Sequence, residues 1–137
     1  MTQEDIIGLF EDAYTTIFCT YNKDGTIHAI PIWYRYRDNA FYFISIKKSR
    51  RVTNLRRNND VSLSFIIQGE GDVPTKVALV YGKAELGFVP DGGYDAFGGW
   101  IAEKYSDQVE SGELAKFDHM NFVSVKVTPD KIVHFYP

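Results

Sequence analysis

Seven short runs of β-branched and aromatic residues, parted by turn-forming or basic segments, constrain this chain more than any other feature. They are residues 15–21, 26–37, 40–46, 61–68, 76–87, 121–127 and 132–136. Asn22-Lys23-Asp24-Gly25 is a strong hairpin turn, Asp38-Asn39 reverses the chain again, and Thr128-Pro129-Asp130-Lys131 is expected to do so near the end. Pro31 is expected to interrupt the second run, because proline cannot donate to a sheet ladder. Strands this apolar leave hazardous open edges, and closing the sheet removes them. The expected fold is mainly β with short helices (α+β), a small antiparallel barrel of six or seven strands.

The remaining segments read as helices. Residues 3–13 place Ile6, Ile7, Leu9, Phe10 and Ala13 on one side, with Thr2 and Asp5 as a capping pair. Residues 88–120 are punctuated by Pro90-Asp91-Gly92-Gly93 and Gly98-Gly99, and Ile101–Tyr105 has helical character, so one or two short helices with mobile joints are expected there. No repeat, linker or low-complexity stretch divides residues 1–137, which read as a single domain.

Lys47-Lys48-Ser49-Arg50-Arg51-Val52-Thr53-Asn54-Leu55-Arg56-Arg57 carries six of the 15 Lys and Arg residues, and no acid lies between Asp38 and Asp60. Ser49 is a good N-cap, and Val52 and Leu55 give a short helix an apolar stripe. Arg50 and Arg51 then fall in the first turn, where the helix dipole disfavours cations. A solvated helix start is the plain reading. An anion held by free backbone N–H groups and two guanidinium forks explains the pair better. Arg56 and Arg57, at the far end, agree with the dipole and read as surface or dimer residues.

The formal net charge of -3 argues against general attraction to nucleic acid or acidic membranes. No apolar run is long enough to span a bilayer and no signal peptide is recognisable, so the expectation is a soluble, cytoplasmic protein. The single cysteine, Cys19, lies in the apolar run Ile17-Phe18-Cys19 and reads as a buried, inert thiol. His28, His119 and His134 are too far apart for a zinc spacing, and neither a GxGxxG nor a Walker loop is present. If the chain is an enzyme, a cofactor carries its chemistry.

The order of features resembles the pyridoxamine 5′-phosphate oxidase-like flavin-binding split barrels. Asp24-Gly25-Thr26-Ile27-His28-Ala29-Ile30-Pro31-Ile32-Trp33-Tyr34 is similar to that family's DG-x-PH-x-x-P-V-W-F strand pair. The passage from Ser45 to Asn58 resembles its T-x-x-x-SRK-x-x-NL-x-x-N segment, and Val61–Phe65 and Val80–Glu85 its VSL and V-x-G-x-A-E strands. The resemblance implies a homodimer with FMN at the interface and Arg50 and Arg51, after Ser49, on its phosphate. Ser45 would bond the phosphate or ribityl chain, and Ile30, Pro31, Ile32 and Trp33 would line the ring. Val77 matches a strand position where the oxidase touches the ring with Gln, and Lys47 and Lys48 are balanced between steering charge at the cofactor mouth and plain surface charge. The oxidase's own substrate-phosphate residues and its C-terminal Trp and Arg have no recognisable counterpart, so vitamin B6 phosphates are not the expected substrate. The short form looks closer to small flavin and deazaflavin reductases.

The implied activity is two-electron hydride transfer on a small organic substrate, with NAD(P)H as donor. A deazaflavin coenzyme, whose acidic tail would suit Lys47, Lys48 and Arg51, is the alternative cofactor, and a non-catalytic flavin- or haem-binding module the alternative role. Trp33 is balanced between flavin wall and core packing. Trp100 would fill a dimer seam or cap the ring, His28 would make a structural hydrogen bond, and His119 would ligate iron only in a haem-binding variant.

Overall fold

The computed structural model describes residues 1–106 and 121–137. Along the chain run α1 (Gln3–Asp12), β1 (Thr16–Tyr21), β2 (Ile27–Ile32), β3 (Arg35–Arg37), β4 (Ala40–Ile46), α2 (Arg50–Arg57), β5 (Asp60–Ile67), β6 (Lys76–Leu86), α3 (Tyr94–Lys104) and β7 (Phe122–Phe135). The seven strands form one antiparallel sheet in the order β2-β1-β5-β6-β7-β4-β3. The expected antiparallel barrel with short helices is borne out.

β2 and β3 hold opposite edges of this sheet, yet only Trp33 and Tyr34 separate them. A link that short reaches about 10 Å, so the sheet must curl until its edges meet there. The edges meet without pairing, and the seam is the split of the barrel. The break in the second run therefore falls at Trp33-Tyr34 and not at Pro31. Pro31 sits in regular register opposite Ile17, on an edge strand where a missing N–H is tolerated.

The turn expected at Thr128–Lys131 is also absent, because β7 runs unbroken through it. Its register with β6 slips between Tyr81 and Gly82, so that Lys131 faces Tyr81, Pro129 faces Gly82, and Asp130 bulges out. The bulge accommodates the proline. Gly82 permits the close approach, since a Cβ there would lie 2.3 Å from the Thr128 carbonyl oxygen.

The core is aromatic. Phe10, Phe41 and Phe65 pack with ring centroids 4.9–5.1 Å apart, and Tyr34 lies 5.2 Å from Phe65. Through Phe10, α1 packs near the finish of β5, whereas α2 leads through Asn58-Asn59 into its start. The two helices thus cover opposite ends of the barrel. At the seam, Tyr34 is fully buried and its hydroxyl lies against the Phe10 and Ala13 carbonyl oxygens. Burial pushes that phenol well above its ordinary range. Tyr105, just after α3, accepts the Tyr34 backbone N–H on its hydroxyl at 2.9 Å and donates to the Tyr14 carbonyl oxygen at 2.7 Å. Trp33 stacks on the Tyr105 ring at 4.2 Å, with the planes 5° apart. The hinge of the split is held by aromatic packing and hydrogen bonds rather than by a strand ladder.

Candidate functional site

Strand β4 alternates Phe41, Phe43 and Ser45 inward with Tyr42, Ile44 and Ile46 outward, so Ser45 is the last inward side chain and is buried. The chain then turns through Lys47 and Lys48, the Ser49 N–H donating to the Ile46 carbonyl oxygen at 2.9 Å, and enters α2. Val52 and Leu55 are buried as the sequence predicts. The helix spans Arg50–Arg57, with Ser49 at the N-cap position as expected and Asn58 at the C-cap.

Ser49 stands at the N-cap position with extended backbone (φ -68°, ψ 155°), but its side chain makes no capping bond. Its Oγ is buried and has no hydrogen-bond partner among the described residues. The first-turn N–H groups of a helix have no partner within it, and the first turn of α2 carries no acid. Arg51 folds back beneath the turn, its Nε donating to Ser45 Oγ at 2.8 Å. Burial lowers the guanidinium's pKa, and no carboxylate among the described residues pairs with it. A half-buried cation, an orphaned hydroxyl and free helix N–H groups therefore meet in one corner. That set of donors, with no acceptor aimed at it, fits a phosphate or another compact anion.

Arg50 points elsewhere. It is exposed and, with Asn22, Lys23, Asp24 and His28, lines a hollow of about 460 Å³ against the β1–β2 hairpin. The Asp24 carboxyl is held below its usual range chiefly by the Thr26 hydroxyl, next by the Thr26 N–H, with Arg50 a small contributor. Arg50 thus faces the hairpin, and Arg51 is the better placed of the two for an anion at the helix start. His28 does not make the expected structural hydrogen bond through Nδ1, which is buried without a partner among the described residues.

A residue that the sequence reading passed over sets the pose of α2. Asn54 is fully buried and donates through Nδ2 to Thr20 Oγ1 and to Asn22 Oδ1, both at 3.0 Å. Its Oδ1 accepts from Arg57 Nη2 at 3.1 Å, and the same Nη2 donates to the Tyr21 carbonyl oxygen at 3.0 Å. Arg57, read as a surface residue, therefore also ties the helix to the hairpin. An Asn between Val52 and Leu55, on the buried side of a helix, was the available signal, because buried amides need partners.

The other residues singled out are more scattered. His28, Ile30 and Ile32 share the half-buried face of β2, and Pro31 is exposed on the other. Trp33 has one ring face covered by Tyr105 and borders the small cluster of Phe97, Ile101 and Tyr105. Lys48 is exposed beside the helix start. Val77 pairs with Ile66 near the finish of β5, at the far end of that ladder from α2, so one chain does not bring it to Arg51. Cys19 is half-buried rather than fully buried. His119 lies outside the described residues. No group of His, Cys, Asp and Glu among the described residues is placed to hold a metal, and no helix among them is long and apolar enough to cross a membrane.

Residues 3–135 match the family model described as pyridoxamine 5′-phosphate oxidase. The chain belongs to that family. Among solved structures, a conserved hypothetical protein from Mycobacterium tuberculosis superposes on this member of the family with a TM-score of 0.81 at 22% identity, covering 99% of this chain and 85% of the other. An F420 reductase gives 0.71 at 21% identity over 92% and 94%. A FAD-binding protein from Mesorhizobium loti gives 0.71 at 19% identity over 98% and 94%. At these identities the likeness is one of fold. No curated protein matches the sequence. The resemblance in the hairpin and in the Ser45–Asn58 segment is thereby borne out at the level of the family.

Proposed function

We propose that this protein binds FMN, with its phosphate at the start of α2, and transfers two electrons as hydride between NAD(P)H and a small organic substrate. The observation that carries the reading is Arg51, half-buried beside an uncapped helix start and the Ser49 Oγ, with no carboxylate for the one and no hydrogen-bond partner for the other among the described residues. Bound flavin supplies the redox centre that the side chains lack. The chain's own share is to bind and orient. Arg51 and the α2 N–H groups hold the phosphate, with Ser49 beside them, and Ser45 fixes the Arg51 fork. Arg50 and Lys48 add positive charge at the mouth. The half-buried Ile30 and Ile32, with Trp33, wall off water from the ring, and Pro31, exposed on the other face of β2, serves the site through its backbone only. Two copies related as a homodimer would bring the partner's strands, including the Val77 position, to a site that a single chain leaves open.

A deazaflavin coenzyme is the second reading. It rests on the fold shared with an F420 reductase and on Lys47 and Lys48 beside the helix start, which suit a longer acidic tail. The test is the visible spectrum of the purified protein and of material to which FMN is added, followed by mass measurement of whatever cofactor is released. Flavin absorbance that bleaches with NADH or NADPH under anaerobic conditions and returns with an organic acceptor is the expected result. A protein that stays colourless and leaves added FMN unperturbed would overturn the FMN reading, and a released deazaflavin would replace it with the second.

A further inference from the structure

On the outward face of β4, opposite to Ser45, the sheet carries a different kind of hollow. Antiparallel register places Arg35 opposite Tyr42, Tyr42 opposite Lys126, and Lys126 opposite Glu85, so a row of charged and aromatic side chains crosses four strands. Arg35 and Arg37, two residues apart, share this face. Trp100 of α3 enters between them, its ring centroid 5.1 Å from Arg35 Cζ and 4.5 Å from Arg37 Cζ. Arg37 Cζ and Lys126 Nζ each lie 5.9 Å from the Tyr42 ring.

The three cations are not equivalent. Arg35 pairs with Glu103 at 2.9 Å and also donates to the Trp100 carbonyl oxygen. Arg37 and Lys126 pair with no carboxylate among the described residues, Glu85 included. Both border a hollow of about 380 Å³ walled by Tyr42, Phe88, Phe97 and Trp100. Asp91 is the acid in its lining, so the lining keeps an excess of positive charge. The wall is braced as well. The Gly87 N–H donates to the Ser124 carbonyl oxygen, and Ser124 Oγ to the Phe88 carbonyl oxygen, each at 2.8 Å. These bonds fix the Phe88 turn against β7.

We propose that this hollow binds a planar aromatic carboxylate, with its rings among the four aromatic walls and its carboxylate between Arg37 and Lys126. The volume falls within the range of about 300–1,000 Å³ typical of small-molecule sites, which combine apolar walls with a few polar groups. The Arg37 fork matches a carboxylate bidentately and Lys126 adds a point charge. A cationic ligand would meet two unanswered like charges. A neutral aromatic would strip water from them without replacing its hydrogen bonds. The site is separate from the α2 corner and does not depend on the flavin reading.

The test uses 2-naphthoate and its neutral counterpart 2-naphthamide, titrated calorimetrically into the wild-type protein and into an Arg37→Gln/Lys126→Gln variant. The wild type should bind one naphthoate per chain, with the amide weaker by about tenfold or more. The variant should lose about tenfold or more in naphthoate affinity and hold the amide unchanged. Quenching of indole fluorescence in a Trp33→Phe background reports occupancy beside Trp100. Should the double variant melt early, Lys126→Gln alone makes the same comparison with the Arg37–Trp100 contact left intact. No saturable naphthoate binding at millimolar concentration, equal affinity for acid and amide, or a charge-removed variant that binds naphthoate like wild type would each overturn the proposal.

Discussion

Helix α1 begins with a complete capping box between Thr2 and Asp5 and has Glu4 and Asp5 in its first turn; helix α2 begins with neither a capping bond nor an acid. The two cover opposite ends of one barrel and bury comparable apolar stripes, Leu9 and Phe10 in one and Val52 and Leu55 in the other. At α1 the available polar groups answer one another within the chain. At α2 a buried hydroxyl and a half-buried guanidinium are left facing a helix N-terminus. Unanswered buried polar groups cost stability. His134 Nδ1, beside α1, also lacks a partner among the described residues, but only the α2 start combines such a group with a half-buried cation and an uncapped helix.

Variants at both helices sharpen the contrast. Phe10→Ala removes the side chain that joins α1 to the core, and should cost about 3–5 kcal/mol in urea unfolding. The folded fraction should still bind FMN as wild type does. Arg50→Ala/Arg51→Ala should reverse the pattern. Loss of charge-assisted bonds worth about 1.5–3 kcal/mol each should weaken FMN about 100-fold or more in a fluorescence titration, with little change in the melting midpoint. Ser49→Asp moves both quantities at once, because the new carboxylate caps the α2 N–H groups and occupies the anion's place. The melting midpoint should rise by about 2–4 °C, while FMN affinity falls by about tenfold or more.

Thr2→Ala gives the smallest effect, a fall of a few degrees in midpoint with FMN affinity untouched. Its pH dependence has a fixed sign. The Thr2 backbone and side-chain hydrogen bonds hold the Asp5 carboxyl below its ordinary value of 3.8. The stabilisation it brings is therefore present above that value and is lost as pH falls through the lowered folded-state one. Melting curves of wild type and Asp5→Asn, which removes that charge and keeps the cap's shape, should accordingly converge in strong acid. Curves that stay parallel at low pH would count against the Asp5 carboxylate as the source of the difference.

The parts of this molecule written in local chemistry were legible in the sequence. The strand runs, the Asp38-Asn39 turn with both residues at positive φ, the Thr2–Asp5 pair and the buried stripe of α2 follow from periodicity and turn preference. Two errors in the strand reading share one cause. Proline chemistry predicts interruptions at Pro31 and Pro129, but an edge position and a bulge opposite Gly82 admit them. Neither circumstance is visible without knowing the neighbouring strand. At the site, Ser45 and Arg51 were named and do meet, whereas Arg50 turns toward the hairpin. The roles of Asn54, Tyr105 and the Arg37–Trp100 and Lys126–Tyr42 contacts depend on residues 34 to 84 positions apart, which local patterns do not encode.

The phosphate clamp is tested most directly by comparing the affinities of FMN and riboflavin, which share the ring and ribityl chain and differ in the phosphate. The wild-type protein should prefer FMN by about 100-fold or more, on the scale of two charge-assisted contacts. That preference should shrink toward unity in the Arg50→Ala/Arg51→Ala variant. Equal binding of FMN and riboflavin by the wild type, or a preference that survives the double substitution, would contradict the account.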